Sequence, residues 1–554
     1  MSGRVPAELA HMTFDAVIIG AGINGAGIAR DAALRGLKVL LIDKNDVASG
    51  TTAWSTRLIH GGLRYLEHGE LGLVRESLRE RERLFQLAPH LVRPLAMLIP
   101  IYERARRSAW MIRAGMIAYD LLSLDKSLVR HHMLSRSQTL ARAPGLNPEN
   151  LRGAALYYDA QVAYAERLVL ENALAARADG AQVLTYARVE RLLMDGRRVC
   201  GVELTDVLEG GTHTPRARAV INVAGPWVDE VLARFQPTSP RLVGGTKGSH
   251  LVVEPFEGAP ADALYAEAKA DGRPFFIIPW NNLYLIGTTD LRYDGALDAV
   301  EADASEIDYL LGETNRVIPT AELTRDSILY TYSGVRPLAY CEAGAEQSIT
   351  RRHFIHDHAP GIEGMLSIVG GKLTTYRNLS EQAVNQLCKK LGRKVARSQT
   401  ARRPLPGATL PDGEDFPSFS ERFYVESTLP REVNERLLMI YGTRAPLLLK
   451  LVATDMELAG RFSPDVPAIG AEVLFSFREE MAQTLTDCLL RRTMVGMGAS
   501  AGIGADEAAA QLAQKHLGWS EARAASEVAA YRAYLTRFHP RALTAESQKM
   551  MNGE

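Results

Sequence analysis

The stretch FDAVIIGAGINGAGIARDAALRGLKVLLID, residues 14–43, decides the fold. FDAVII is a short apolar run of the buried-strand type. The Ala-rich run that follows has helix composition and stops at Gly36, and LKVLLID is a second apolar strand. Strand, glycine turn, helix and strand in that order form the βαβ unit of a parallel, doubly wound sheet. Gly20, Gly22 and Gly25 stand as G-x-G-x-x-G directly after the first strand. Gly20 permits a tight turn, Gly22 lets a pyrophosphate approach the backbone, and Gly25 permits close helix–strand packing. The helix N-terminus offers unpaired N–H groups and a favourable dipole to the phosphates. Asp43 ends the second strand about 20 residues on, where a carboxylate accepts ribose hydroxyls. The motif by itself does not separate NAD from FAD.

Bulk properties bound the rest. A chain of 554 residues exceeds what a single core supports, so at least two domains are expected. It is 46% hydrophobic and 23% charged, the composition of a folded protein. A net charge of −1 carries no nucleic-acid signature, so no nucleic-acid partner is expected. Cys200, Cys341, Cys388 and Cys488 form no Cys-x-x-Cys pair and lie near no His at metal-ligand spacing. No metal site and no disulfide framework are therefore expected, and a reducing compartment fits. The N-terminus lacks an apolar secretory core, and no run of ~18 apolar residues predicts a spanning helix.

Further along, residues 70–87 and 164–178 read as amphipathic helices, and the stretch around Asp195-Gly196 reads as a strand pair. From 241 the pattern becomes β-hairpins, with Asn281-Asn282 as a turn. Pro404, Pro406 and Pro411 mark a linker. Beyond about 415 the chain reads as helical, with LFSFREEMAQTLTDCLLRR (474–492) and ADEAAAQLAQKHLG (505–518) as helix-period segments. Two stretches favour FAD over NAD. VINVAGPWVD (220–229) would bring backbone to the adenosine half of a long cofactor. SIVGGKLTT (367–375) begins another strand–glycine–helix element, whose N-terminus would stabilise an anionic reduced ring. An ordinary tight turn is the plain alternative for each.

Arg64, Arg336 and Lys372 are cations beside glycine turns, and His250 sits on a predicted strand. Three cations converging on one pocket would suit a dianionic phosphate. His250 is the candidate for removing a hydroxyl proton while a hydride leaves the adjacent carbon. Against this, a lone Arg is most often a solvated surface residue and a lone strand His a structural one.

The segments GAGINGAGIARDAALRGLKVLLIDK, STRLIHGGLRYLEHGELGLVRESLRER, VINVAGPWVD, KGSHLVV, LIGTTD, TYSGVRPL and GGKLTTYR occur in one order over roughly residues 14–380. In that order they resemble the FAD-dependent glycerol-3-phosphate dehydrogenases of aerobic respiration. The resemblance implies a fold like the D-amino-acid-oxidase group. That is an α/β plus β chain, with a Rossmann-like FAD-binding domain interleaved with an antiparallel-sheet substrate domain, here followed by an all-α C-terminal domain. The expected limits are 13–90, 151–240 and 330–395 for the FAD domain, 91–150 and 241–329 for the substrate domain, and 405–554 for the helical one. The resemblance implies oxidation of glycerol 3-phosphate to dihydroxyacetone phosphate, with electrons passed to ubiquinone or menaquinone. Arg64, Tyr65, His250, Arg336, Lys372 and Thr374 would line the substrate site, with Arg64, His250, Arg336 and Lys372 catalytic. FAD would be contacted by Gly20, Gly22, Ile23, Asn24, Gly25, Asp43, Lys44, Thr51, Thr52, Ser55, Thr56, Leu58, His60, Gly61 and Gly62. Further along, Val189, Ala224, Gly225, Trp227, Gly371, Lys372, Leu373 and Thr374 would complete that set. Arg57 departs from the Lys often found there, but keeps the cation. The lack of a D-x-D-x-D-G loop and of a transit peptide favours a bacterial member.

The stretch 103–130, ERARRSAWMIRAGMIAYDLLSLDKSLVR, joins an arginine cluster to Trp110, Tyr119 and apolar residues. It reads as a helix lying on a lipid surface, with a buried helix as the alternative. A quinone acceptor favours the first, and implies a peripheral protein on the cytoplasmic face of a bacterial inner membrane. A homodimer is compatible with the sequence. The competing functions are a flavin oxidase of amino acids or amines on the same fold, and a flavin-binding scaffold without turnover.

Overall fold

The computed structural model describes residues 5–544, apart from 7, 8, 10, 68, 104, 125, 126, 237, 238, 343–350 and 412. Of the expected lipid-facing stretch, Arg104, Asp125 and Lys126 lie outside this description.

The opening βαβ unit forms as read. Strand Ala16–Ile19, helix Ile23–Leu34 and strand Val39–Ile42 follow one another, and Val17 pairs in parallel with Leu40 on one side and Val220 on the other. The full order is Phe354–Asp357, Met365–Val369, Val220–Asn222, Ala16–Ile19, Val39–Ile42 and Gln182–Leu184. Only the first of these strands runs antiparallel to its neighbour. All four residues of Ala16–Ile19 and of Val39–Ile42 are buried, as a parallel sheet covered on both faces requires. Helices Ala165–Ala178 and Tyr376–Lys390 pack on Ile23–Leu34 and share its apolar core.

Two glycines of the fingerprint, Gly20 and Gly25, are sterically obligatory. A Cβ on Gly25 would lie 1.8 Å from the Gly20 carbonyl oxygen, and Gly20 itself has φ +110° with Val223 O 2.7 Å from any Cβ. Both obstacles are backbone atoms, so neither position has a side-chain solution.

The second large sheet has ten strands and is built around the long pairs Val92–Tyr102 with Leu151–Val162, and Val243–Val253 with Ile328–Ala339. This corrects the expected domain limits. Strands Leu151–Val162 and Ile328–Ala339 fall within the limits expected for the FAD domain, but both pair in the substrate-side sheet, as does the short strand Leu58–Ile59. The hairpin turn at Asn281-Asn282 is present, with φ +52° and +62°, the left-handed pair that a two-residue loop demands. A smaller five-stranded sheet holds the hairpin Ala187–Asp195/Arg198–Asp206.

Beyond Asp415 the chain is helical, with one correction. Residues 474–492 do not form a continuous helix. Helix Gly470–Arg478 ends, Met481 takes φ +59°, and a new start is capped at Thr484 by a reciprocal bond with Asp487. The Asp487 carboxylate also accepts the Gln483 and Thr484 amides, which fixes the break. Against the expectation of no spanning helix, the stretch Arg431–Thr454 has the length and apolar composition of one. It is two helices joined by a 3₁₀ turn at Gly442–Arg444, with Leu437, Ile440 and Tyr441 buried in the domain core.

Candidate active site

One long cavity of about 1150 Å³ runs from the glycine turn of the parallel sheet to the face of the antiparallel sheet. At one end it is walled by Gly20, Gly22, Ile23, Asn24, Asp43, Lys44, Val189, Ala224, Gly225 and Trp227. Its middle is walled by Thr51, Thr52, Ser55, Thr56, Leu58, His60, Gly62, Gly371, Leu373 and Thr374. Its far end is walled by Arg64, Tyr65, His250, Arg336 and Lys372. Residues of both groups drawn from sequence thus wall one space, and Lys372 and Thr374 belong to both.

Two of the expected cofactor residues do not wall it. Gly25 lies behind the turn, where it lets the helix pack. Gly61 faces away: its amide donates to Tyr119 Oη at 3.0 Å and to Asp159 Oδ1 at 3.2 Å, and a Cβ there would sit 2.3 Å from Tyr119 Oη. Only Gly62 of the pair is turned to the cavity, with φ +79°.

The residues present fit FAD. Helix Ile23–Leu34 begins at the cavity with no side-chain cap and no acidic residue in its first turn, an N-terminus suited to an anion. A Cβ at Gly22 would meet only Thr52 Oγ1 at 3.5 Å, so the protein's own packing does not require glycine there, whereas a ligand lying on the backbone would. Asn24 Oδ1, Trp227 Nε1 and His250 Nδ1 are buried and have no hydrogen-bond partner among the described residues. All three residues wall the cavity, and a polar ligand relieves such orphans. Asp43 receives the Ala21 amide at 2.7 Å and the Asn45 amide at 2.9 Å, and burial pushes its carboxyl up to about 6. Lys44 pairs with Asp298 at 2.7 Å and lies over Trp227. Thr52 accepts the Ile23 amide at 3.3 Å, Thr51 donates to Val335 O at 2.7 Å, and Ser55 accepts the Arg57 amide at 3.3 Å. Thr374 both accepts from and donates to the His60 backbone, tying the Gly370–Gly371 turn to the 60–62 loop. Burial, then the Lys372 charge, lowers the His60 imidazole to about 4.

At the far end, sheet register does the positioning. Thr246 stands opposite Arg336, and His250 opposite Tyr332 and, on the other side, Gly287. Residues 246, 248 and 250 share a face with 332, 334 and 336, so His250 and Arg336 project together. Gly248 lies between them, and a Cβ there would be 2.2 Å from Arg336 Nη2. The guanidinium therefore lies along the strand over a glycine, toward the histidine. His250 Nε2 is 2.9 Å from Thr56 Oγ1, and its ring stacks on Tyr332 at 4.8 Å. Burial, then the charges of Arg336 and Arg57, hold His250 well below its ordinary value. Lys372 Nζ donates to Ser77 Oγ at 2.9 Å and lies 4.3 Å from the Tyr65 ring centre, and burial lowers its ammonium below the usual range.

The sequence reading missed the hub of this end. Asp290, the last residue of LIGTTD, pairs with Arg273 at 2.9 Å, Arg336 at 3.1 Å and Arg351 at 3.1 Å. Arg336 also donates to Thr288 Oγ1 at 3.0 Å. Burial would raise the Asp290 carboxyl, but Arg336 and Arg351 hold it down at about 2. Three guanidiniums around one carboxylate leave two positive charges facing the cavity, a preformed receiver for a doubly charged anion. Arg351 has no neighbouring glycine, whereas Arg273 directly follows Gly272 and so carried the same glycine-turn signal as Arg64, Arg336 and Lys372. A second available signal was LIGTTD, a carboxylate at the end of an apolar strand, which would need counter-charges if buried.

The stretch around Trp110 forms helix Ala109–Leu121 on the protein surface. Met116 and Tyr119 are buried, whereas Trp110 is 74%, Leu121 61% and Leu124 72% exposed. The buried face is anchored through Tyr119, which donates to both Asp159 oxygens at 2.8 Å.

The model of an FAD-dependent oxidoreductase family matches residues 15–377, and that of the C-terminal domain of alpha-glycerophosphate oxidase matches residues 398–524. The chain is 47% identical to a glycerol-3-phosphate dehydrogenase of Synechocystis sp., over 95% of this chain and 97% of that one. It is 34% identical to an aerobic glycerol-3-phosphate dehydrogenase of Staphylococcus haemolyticus, over 88% and 87%. Its structure is similar to that of the glycerol-3-phosphate dehydrogenase from Bacillus halodurans complexed with FAD, with a TM-score of 0.77, 29% identity and 96% of each chain covered.

Proposed function

The chain belongs to the FAD-dependent oxidoreductase family, and on that premise we propose that it oxidises sn-glycerol 3-phosphate to dihydroxyacetone phosphate and delivers the electrons to a membrane quinone. The observation that carries the reading is the Arg273–Arg336–Arg351 cluster on Asp290, set at the end of the cavity that fits FAD. Its two uncompensated charges match a phosphate dianion. An amino-acid oxidase needs to hold only one carboxylate, so the cluster disfavours that alternative.

When bound, FAD supplies the acceptor for the hydride that leaves C2. The chain's own groups do the remainder. The arginines hold the phosphate, and Arg64 reaches the same end of the cavity. In the tautomer that places its proton on Nε2, toward Thr56 Oγ1, His250 presents the Nδ1 lone pair to the C2 hydroxyl proton. A phosphate in the cluster cancels the Arg336 charge that depresses His250, so the base strengthens when substrate arrives. Lys372, fixed by Ser77 and Tyr65, gives a second point charge with which to orient the substrate oxygens. Tyr65, Tyr157, Tyr265, Phe276 and Trp54 supply bulky walls that exclude water from the reacting carbon.

The membrane part of the proposal rests on helix Ala109–Leu121 and the residues after it. Trp110, Ile117, Leu121, Leu124 and Val129 are exposed and apolar, and Arg106, Arg107, Arg113 and Arg130 flank or interleave them. This is the composition of a helix lying in a headgroup layer, which supports peripheral attachment at the cytoplasmic face of a bacterial inner membrane.

The test is turnover of FAD-loaded protein with a short-chain ubiquinone analogue. Glycerol 3-phosphate is expected to drive quinone reduction, and glycerol and glycine are not. Peroxide formation with glycine in place of quinone reduction would overturn the proposal.

A further inference from the structure

The C-terminal helical domain is absent from the chemistry just described, yet it reaches the cavity. Thr484, Thr486, Arg491, Glu527 and Tyr534 stand on its wall. Two of the domain's contacts bear on the chain just after Asp43.

The first is Asp46, three residues past the Asp43 carboxylate. It is fully buried and takes Arg491 Nε at 2.7 Å and Arg492 Nη1 and Nη2 at 2.7 and 2.8 Å. The second is Tyr186, which also walls the cavity. Its amide donates to Asn45 O at 3.0 Å, and its hydroxyl donates to Asp487 Oδ1 at 2.6 Å. Arg491 closes the set by donating to the same Asp487 oxygen at 2.6 Å. Both anchors thus end on one short segment, residues 484–492.

The loop they hold is 43–52, which joins Asp43 to Thr52 and so connects the ribose end of the cavity to the helix N-terminus. Within it Ala48 has φ +60°, a left-handed conformation unfavourable for a residue with a Cβ, while its amide donates to Ala21 O at 3.0 Å. A strained residue between the glycine turn and a buried ion cluster persists only where its surroundings fix it. Among the described residues, the cations that neutralise Asp46 both come from the helical domain.

We propose that residues 484–492 are a clasp for the cofactor, with Asp46, Arg492 and Asp487 as positioning residues that keep loop 43–52 closed over the adenosine half of FAD. The clasp governs cofactor retention and leaves the reacting end unaffected. It rests on the reading that the cavity holds FAD.

The test uses full-length flavoprotein. Wild type, Asp46→Asn and Arg492→Met are diluted into flavin-free buffer, and release is followed by the rise of free-flavin fluorescence. Release is expected to quicken about tenfold or more in each variant, because Asp46→Asn leaves two buried guanidiniums without their carboxylate and Arg492→Met removes two of the hydrogen bonds that hold Asp46. The KM for glycerol 3-phosphate at saturating FAD is expected to stay within about twofold, since neither residue walls the cavity. Unchanged release in both folded variants would overturn the clasp. Should the variants fail to fold, amide hydrogen exchange of wild type decides. Adding FAD is expected to slow exchange in 485–492 together with 43–52. Slowing confined to the glycine turn would overturn the proposal. A wild type that purifies without flavin and binds none would instead defeat the FAD reading itself.

Discussion

Two arginines in the loop after Trp54, Arg57 and Arg64, have opposite fates. Arg57 is fully buried, holds Glu166 through both terminal nitrogens at 2.8 Å and lies over Trp280. Arg64 reaches the cavity. The glycine pair before Arg64 marks it locally, but the burial of Arg57 depends on Glu166 from a distant helix. Arg57→Ala is therefore expected to cost about 3–5 kcal/mol of stability, read by denaturant unfolding, because it strands a buried carboxylate. Arg64→Ala is expected to raise the KM for glycerol 3-phosphate about tenfold or more while flavin content per protein stays near wild type. Equal loss of flavin and affinity would contradict that separation. His250→Ala is expected to lower the rate of flavin reduction about a hundredfold or more, and near-normal reduction would remove it from the base role. The pH profile carries a sign. The working form of His250 is neutral, and burial with Arg336 moves its pKa down. The acid limb of kcat/KM, which reports the free enzyme, should therefore fall below pH ~6.5, with activity lost as pH drops through that lowered value. An acid limb above pH ~7 would require a different base.

At the scale of elements, the opening βαβ unit was legible because each of its parts obeys a short-range rule. Gly25→Ala is expected to yield protein without flavin, checked by absorbance of the purified chain, since the added Cβ meets the Gly20 carbonyl at 1.8 Å. Placement was less legible. Leu151–Val162 falls within the limits expected for the FAD domain, but pairing with Val92–Tyr102 draws it to the substrate side. The break after Arg478 was illegible because the apolar period continues through it, while a left-handed Met481 and the Thr484–Asp487 cap turn the chain. The Trp110 helix showed its amphipathic character in sequence, but the direction of its apolar face needed Tyr119 on Asp159 to fix it. Trp110→Ser with Leu121→Ser is expected to weaken binding to anionic vesicles about tenfold or more in a flotation assay, with soluble-acceptor turnover unchanged. Unaltered flotation would detach that helix from the membrane reading.

The whole molecule is less divisible than its order of segments implies. One apolar core runs from Ala53 and Trp54, through Tyr330 and Tyr332 of the antiparallel sheet, to Tyr531 and Phe538 of the helical domain. Buried pairs cross the same boundary: Arg167 holds Glu480, and Tyr330 donates to Met497 O at 2.8 Å. A proline-marked linker suggested a separable C-terminal unit, but the interface that forms across it depends on side chains far apart in sequence. Calorimetry of the flavoprotein is expected to show one cooperative transition, and two resolved transitions would contradict the shared core. The arginine cluster on Asp290 has the same origin, since LIGTTD, Arg273 and Arg351 meet only after the sheet closes. The central claim, that this cluster delivers glycerol 3-phosphate to a flavin with its C2 carbon in reach, is tested most directly by anaerobic stopped-flow mixing. Flavin absorbance should bleach rapidly with glycerol 3-phosphate, and more slowly when C2 carries deuterium. No bleaching by glycerol 3-phosphate, or bleaching by amino acids in its place, would contradict the account.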